Sequence, residues 1–243
     1  MKIIYAGVIS TGSVIILGIA LVMPIFFSPT QLLPVILSFD VVDQTNLPQW
    51  CNELSSVLKK YDIKSVVFVS GKVAQQHPQC VTDFSNKIDI GSETYDYVPL
   101  TSIQDYSQQL EEIKKGKLAV DITGNLDSKL FRAPYLTVDG NIYSLLTRSG
   151  ILADFSYKQQ YNKYYDNKFL KFDLFSYDGT ETSPTFIQGL SKNNGPVFIY
   201  FDNTTPTEKI DDFISKLKSS NVKFLNASDL TGLDLTVRRG WFT

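Results

Sequence analysis

Four carboxylates and one guanidinium stand where apolar runs end. Asp40 closes Val35-Ile36-Leu37-Ser38-Phe39, Glu93 follows Ile88-Asp89-Ile90-Gly91-Ser92, and Arg132 follows Leu130-Phe131. Asp154 follows Ile151-Leu152-Ala153, and Asp202 follows Val197-Phe198-Ile199-Tyr200-Phe201. A short run of strand formers without polar alternation reads as a strand buried on both faces, and the C-terminal edge of a parallel sheet is where α/β folds present their chemistry. A carboxylate delivered there can act as a base on a bound molecule. Any α/β barrel also has polar strand ends, so spacing alone leaves a functional site and a solvated rim both open.

The elements that must position these residues alternate along the chain. Strands are predicted over 35–41, 64–71, 88–91, 151–157, 170–177, 197–202 and 222–225, with a further strand and turn over 130–135. Between them, Leu47, Trp50, Leu54, Val57, Leu58 and Tyr61 recur at three-and-four spacing and predict an amphipathic helix over 47–61, with Pro48 tolerated in its first turn. Further helices are predicted over 73–84, interrupted at His77-Pro78, over 103–120, over 141–148 before Gly150, and over 210–217. Buried strands alternating with helices imply a parallel sheet, and about seven such units favour a closed or nearly closed barrel. His77, the only histidine, reads as a surface or structural residue. The tail from Val237 to Thr243 shows no periodicity.

Composition narrows the class. The chain has 243 residues, 43% of them hydrophobic, enough for a large core, which excludes a disordered protein. A net charge of −2 with scattered Lys and Arg provides no face for nucleic acid. Residues 3–27 carry no charged side chain, a length that spans a bilayer core, and Lys2 is the only charge before them. Residues 1–30 are therefore expected to be an uncleaved membrane anchor and short tether, and residues 31–243 a domain on the extracytoplasmic side. A cleaved signal and a soluble core helix are the competing readings of that run. Cys51 and Cys80 are the only cysteines, a disulfide candidate in such a compartment, with two buried thiols as the alternative. Asn203-Thr204-Thr205 and Asn226-Ala227-Ser228 have the form of glycosylation sequons.

Five segments, in order, resemble the polysaccharide deacetylases with a NodB-homology domain, carbohydrate esterase family 4. Leu37-Ser38-Phe39-Asp40 is similar to the family's Thr-Phe-Asp-Asp motif, residues 90–97 to its Gly-x-His-Thr-x-x-x-His stretch, and Phe131-Arg132-Ala133-Pro134-Tyr135 to its Arg-x-Pro-Tyr motif. Asp154-Phe155-Ser156-Tyr157 looks like its Asp-x-x-Trp segment, and residues 197–202 like the strand that ends in His-Asp. The resemblance spans about residues 35–230 and implies an α/β fold, a distorted, incomplete (β/α) barrel. It also implies a metal-dependent carbohydrate N-deacetylase using a zinc-type ion.

Carried over position by position, the resemblance puts a general base at Asp40, its orienting cation at Arg132, Tyr135 beside the oxyanion, and Asp154 in the same site. The second motif carboxylate falls on Val41, the ligand histidines on Glu93 and Tyr97, and the general-acid histidine on Phe201. Catalytic zinc takes three ligands from imidazole, thiolate or carboxylate, which Val and Tyr do not replace. Glu93, Asp96 and Asp43, with Asp40, are candidate oxygen ligands for a harder cation. The Asp40–Arg132 pair also has a purely structural reading, as a buried ion pair. Tyr157, Tyr161 and Asp202 are candidate glycan contacts, since aromatic rings stack on sugar faces, although the tyrosines equally suit loop packing. The expectation is a divergent domain that binds a glycan or cell-envelope polysaccharide without turnover. The alternative is a hydrolase of carbon–nitrogen or ester bonds with a non-standard metal site.

Overall fold

In chain order the elements are β1 (Leu33–Val41), α1 (Leu47–Tyr61), β2 (Ser65–Val69), α2 (Gly71–Gln76), α3 (Gln79–Thr82) and β3 (Ile88–Ser92). There follow α4 (Tyr106–Gly124), β4 (Leu126–Ser128), β5 (Leu130–Phe131), α5 (Ile142–Arg148), β6 (Ala153–Tyr157), β7 (Asn162–Asp166) and β8 (Phe169–Asp173). The last are β9 (Ser176–Asp178), α6 (Pro184–Gly189), β10 (Val197–Asp202), α7 (Thr207–Lys218), β11 (Val222–Phe224), α8 (Ala227–Thr231) and β12 (Thr236–Arg238). This computed structural model describes residues 32–157, 162–166, 169–173, 176–190 and 196–239. The segment 3–27, expected to be a membrane helix, lies outside the described residues, as does Tyr161. Among the described residues no helix is long and apolar enough to cross a membrane.

One ten-stranded sheet runs in the order β7-β8-β6-β5-β3-β2-β1-β10-β9, with β11 also paired to β1. The path has two ends, so the sheet curls into an incomplete barrel. Among the described residues all its pairings are parallel except β7 with β8. β1 is its centre because every residue of the apolar run except Pro34 is buried. Alternation along β1 sends Val35, Leu37, Phe39 and Val41 to the helix side, where they pack with Leu54 of α1 and Ile210 and Phe213 of α7. Ile36 faces inward, with Val66, Phe68, Leu130, Phe155 and Phe198.

One expectation is corrected, and two unassigned segments gain strands. The single strand over 170–177 is two strands, β8 beside β6 and β9 at the opposite edge beside β10. An apolar run reports burial, and burial does not reveal which neighbour covers it. The hairpin strand β7 is absent from the sequence expectation. The unassigned tail supplies β12, which closes on β4 as an antiparallel pair.

Cys51 of α1 and Cys80 of α3 form a disulfide with Cα atoms 5.1 Å apart. The interrupted helix at His77-Pro78 is α2 and α3, with His77 at the C-cap of α2. Both sequon asparagines are spent inside the fold. Asn203 donates to the Val42 carbonyl oxygen at 2.8 Å and accepts from the Val42 N–H at 3.2 Å, while Asn226 caps α8.

Candidate active site

Alternation and register decide which strand ends converge. Ser38 and Asp40 continue the inward line of Ile36 toward the mouth of the barrel. On β10, Tyr200 stands beside Ser38 and Asp202 beside Asp40. Phe198 packs inward and Phe201 packs with the helices, so Tyr200 and Asp202 share the face of Asp40 and Phe201 does not. Phe201 stacks on Phe39 with ring centroids 5.7 Å apart and meets Phe213 edge-on at 5.3 Å. The position aligned with a general acid is thus turned into the helix-side core. Val41, aligned with a ligand carboxylate, is turned the same way and is fully buried. Tyr200 is a site residue that motif matching missed; its parity with Ser38 was the available signal.

Arg132, just after β5, is 1% exposed. Its Nη1 donates to Asp40 Oδ1 at 2.5 Å, Nη2 to Ser38 Oγ at 2.9 Å, and Nε to the Phe155 carbonyl oxygen at 3.1 Å. Its guanidinium carbon lies 4.3 Å from the centre of the Phe68 ring, adding a cation–π contact. Asp154 holds the next turn: it accepts hydrogen bonds from the backbone N–H and hydroxyl of Ser156, whose Oγ accepts the Ala133 N–H at 2.7 Å. Asp154 therefore positions the Arg132–Tyr135 segment.

Glu93, at the end of β3, is the unusual group. It is 1% exposed and neither carboxylate oxygen has a hydrogen-bond partner. Its backbone is packed against α4: a Cβ on Gly116 would lie 2.2 Å from the Glu93 carbonyl oxygen, so only glycine fits. Burial, and then the charge of Asp40, push the Glu93 carboxyl well above the ordinary carboxylate range, with Arg132 opposing. Burial also raises Asp40, but Arg132 counters it by charge and by hydrogen bonding. Of the two carboxyls Glu93 keeps the proton, because Asp40 has the guanidinium. Asp40–Arg132 is then an ion pair with a neutral acid beside it.

Above these groups sit Tyr97 and Tyr135, ring centroids 5.4 Å apart. Burial first, and then the nearby carboxylates, push the Tyr97 phenol far above its usual range. Tyr97, Tyr135 and Leu136 all have left-handed backbone, with φ of 56, 57 and 58 degrees. Such conformations cost a non-glycine residue roughly 1 kcal/mol or more and gather at functional sites. The Tyr135 side chain is 66% exposed. Tyr200 donates to Asp178 at 3.3 Å, and its phenol is pushed up to about 12 by burial first and then by Asp178 and Asp40.

A sequence profile described as Polysaccharide deacetylase matches residues 29–153, just over half of the chain. The chain belongs to the polysaccharide deacetylase family. No curated protein matches it by sequence. Among solved structures it is similar to the Bc1960 peptidoglycan N-acetylglucosamine deacetylase at 19% identity and a TM-score of 0.61, covering 83% of this chain and 89% of that one. A family 4 carbohydrate esterase from Streptomyces lividans matches at 19% identity and TM-score 0.57, over 78% and 90%. BA3943 from Bacillus anthracis, a CE4 family pseudoenzyme, matches at 15% identity and TM-score 0.58, over 83% and 66%. At these identities the structural likeness establishes the fold.

The polysaccharide deacetylase fold implies a zinc-type ion, and the donors of this chain do not fit one. Val41 has none, the Tyr97 phenol is pushed far above its usual range, the Glu93 carboxyl is raised by burial, and Asp40 is bound to Arg132. The harder-cation set is not brought together either. Asp43 is exposed and lies 3.8 Å from Lys72, and at Asp96 it is the backbone N–H that is held, by Glu112 at 3.0 Å. Among the described residues no three His, Cys, Asp or Glu side chains gather into a metal-binding group. Tyr157 ends β6, but its side chain, like Tyr161, lies outside the described residues.

Proposed function

We propose that this polysaccharide deacetylase-family chain is a catalytically silent, carbohydrate-binding domain of the cell envelope. The observation that carries this reading is the orientation of Val41 and Phe201. The two positions that would supply a metal ligand and a proton donor are apolar and face the helices, on the opposite side of the sheet from Asp40. Hydrolysis of an acetamide needs an activated water and an acid for the leaving amine. Here Arg132 holds the Asp40 carboxylate, but the aligned positions Val41 and Phe201 supply neither a metal ligand nor a proton donor. BA3943 is a CE4 family pseudoenzyme, and a mutant of it has restored enzymatic activity, so this fold is known without catalysis.

An extracytoplasmic, membrane-anchored location is part of the proposal. It is supported by the uncharged run 3–27 and by the Cys51–Cys80 bond, which persists in oxidising compartments. One observation favours a second reading, a working hydrolase: an ionised Asp40 beside a protonated Glu93 is an acid–base pair. Assaying the purified full chain for bound metal, for acetate release from N-acetylglucosamine oligosaccharides and for glycan binding decides between them. Binding without metal or acetate release supports the silent domain; acetate release lost on Asp40→Asn overturns it.

A further inference from the structure

Lysines scattered along the chain gather at the end of the barrel opposite the mouth. In a parallel sheet the strands start at that end and the intervening helices finish there. Lys64 directly precedes β2, Lys87 directly precedes β3, and Lys223 lies in β11 beside Pro34 of β1. Lys59 and Lys60 end α1, and Lys218 ends α7, where its Nζ donates to the Tyr61 carbonyl oxygen. Lys64, Lys87 and Lys218 line one surface hollow, with Asp62 as its acid and Val222 and Phe224 as its apolar wall. Three carboxylates answer these six lysines: Asp211 pairs with Lys60 at 2.8 Å, Asp229 with Lys64 at 2.6 Å and Asp62 with Lys87 at 2.5 Å. These pairs are open to solvent, where such contacts hold weakly, and among the described residues Lys59, Lys218 and Lys223 have no carboxylate partner. The partial charge of helix C-termini favours lysine and accounts for Lys59, Lys60 and Lys218. It does not account for Lys64, Lys87 and Lys223, which lie outside helices.

We propose that this basic pole docks on anionic phospholipid headgroups, so that the barrel stands on the membrane with its mouth directed away. The inference rests on the membrane-anchored part of the reading above and names the surface on which the domain lies. Two observations choose lipid over another polyanion. Five residues, 28–32, separate the uncharged run 3–27 from β1, and a chain of five residues spans at most about 18 Å. An anchored chain therefore begins β1, and with it this pole, close to headgroups whose attraction for lysine acts over a Debye length, about 8 Å at physiological salt. Apolar surface also lies among the lysines. Leu32, directly before β1, is an exposed large apolar side chain, and Val222 and Phe224 wall the hollow, the mixture that interfacial binding uses. The whole chain has a net charge of −2, so what lies outside this pole is acidic and is repelled by the same headgroups, which selects the end that approaches.

The test mixes the full chain with vesicles of phosphatidylcholine alone or of phosphatidylcholine with phosphatidylglycerol, then adds a membrane-impermeant acylating reagent and reads the rate at each lysine by mass spectrometry. On the phosphatidylglycerol vesicles Lys64, Lys87 and Lys218 are expected to react at least about fivefold more slowly, the factor that one lysine–headgroup attraction supplies. Lys72, in the first turn of α2 at the mouth end, has a side chain as exposed as that of Lys87, 42%, and should react equally on both vesicles. Lys59→Gln, Lys218→Gln and Lys223→Gln together remove the unpaired charges and should abolish the protection of Lys64 and Lys87, whereas Lys114→Gln with Lys115→Gln on α4 should keep it. Equal rates on the two vesicles, or a like slowing of Lys72, overturn the inference. Protection by a soluble polyglycerophosphate on phosphatidylcholine vesicles, with none on phosphatidylglycerol, also overturns it and makes the pole a polymer site. The anchor is read separately, by flotation of the chain with phosphatidylcholine vesicles in high salt: failure to float overturns the anchor and leaves the acylation rates to decide the pole.

Discussion

Arg132 Nη1 lies 2.5 Å from Asp40 Oδ1, on a guanidinium that is 1% exposed, and this contact joins the end of β1 to the end of β5 across the inner face of the barrel. Removing one partner strands the other charge. Asp40→Ala is predicted to cost about 3–5 kcal/mol of stability, the range for breaking a buried pair. Urea unfolding measures it, and an unchanged midpoint would show that the pair does not hold the mouth together.

Glu93 predicts a specific pH dependence. Its folded pKa is raised, by burial first and by Asp40 next. Below its ordinary pKa both folded and unfolded chains carry the proton and the group contributes nothing. As pH rises above that value the unfolded chain ionises first, so stability falls by up to about 1.4 kcal/mol per pH unit until the folded pKa is reached. Glu93→Gln keeps a neutral side chain and removes the slope. Its Tm advantage over wild type should widen as pH rises above the ordinary carboxylate range; a constant difference would mean that Glu93 is ionised when folded.

Restoring family residues singly should not restore catalysis. Val41→Asp puts a carboxylate into the helix-side core and is predicted to lower stability by about 3 kcal/mol or more, without acetate release. Phe201→His gives up the stack on Phe39 without reaching Asp40's face, and Phe201→Ala should cost about 3–5 kcal/mol. Acetate release by either single variant would show that these positions can turn to the mouth.

The disulfide closes a loop across a sequence separation of 29 residues. Loop-closure entropy predicts a loss of about 3–4 kcal/mol for Cys51→Ser with Cys80→Ser. Thermal melts of the double variant, with and without reductant, check this: reductant should shift wild type alone.

Much of this fold was legible in the sequence because burial on both faces leaves continuous apolar runs. Residues 35–41, 64–71 and 197–202 each read as strands, and the 47–61 stripe marked α1 to the residue. Runs that share one pattern but serve different edges were not separable: residues 170–177 hide β8 and β9, since which strand pairs with which is set by distant contacts. Short antiparallel pieces such as β4 and β12 have too few residues to show a period.

For the site, residue types at strand ends named Asp40, Glu93, Arg132, Asp154 and Asp202, and the motif order named the family. Side-chain parity and the approach of α4 lie beyond residue type. Only the tertiary structure turned Val41 and Phe201 toward the helices, set the register that puts Tyr200 beside Ser38, packed α4 at Gly116 against the Glu93 backbone and bound Arg132 to Asp40. The physical reason is that a carboxylate's behaviour is set by what desolvates and pairs it, and those partners come from strands and helices far apart in the chain.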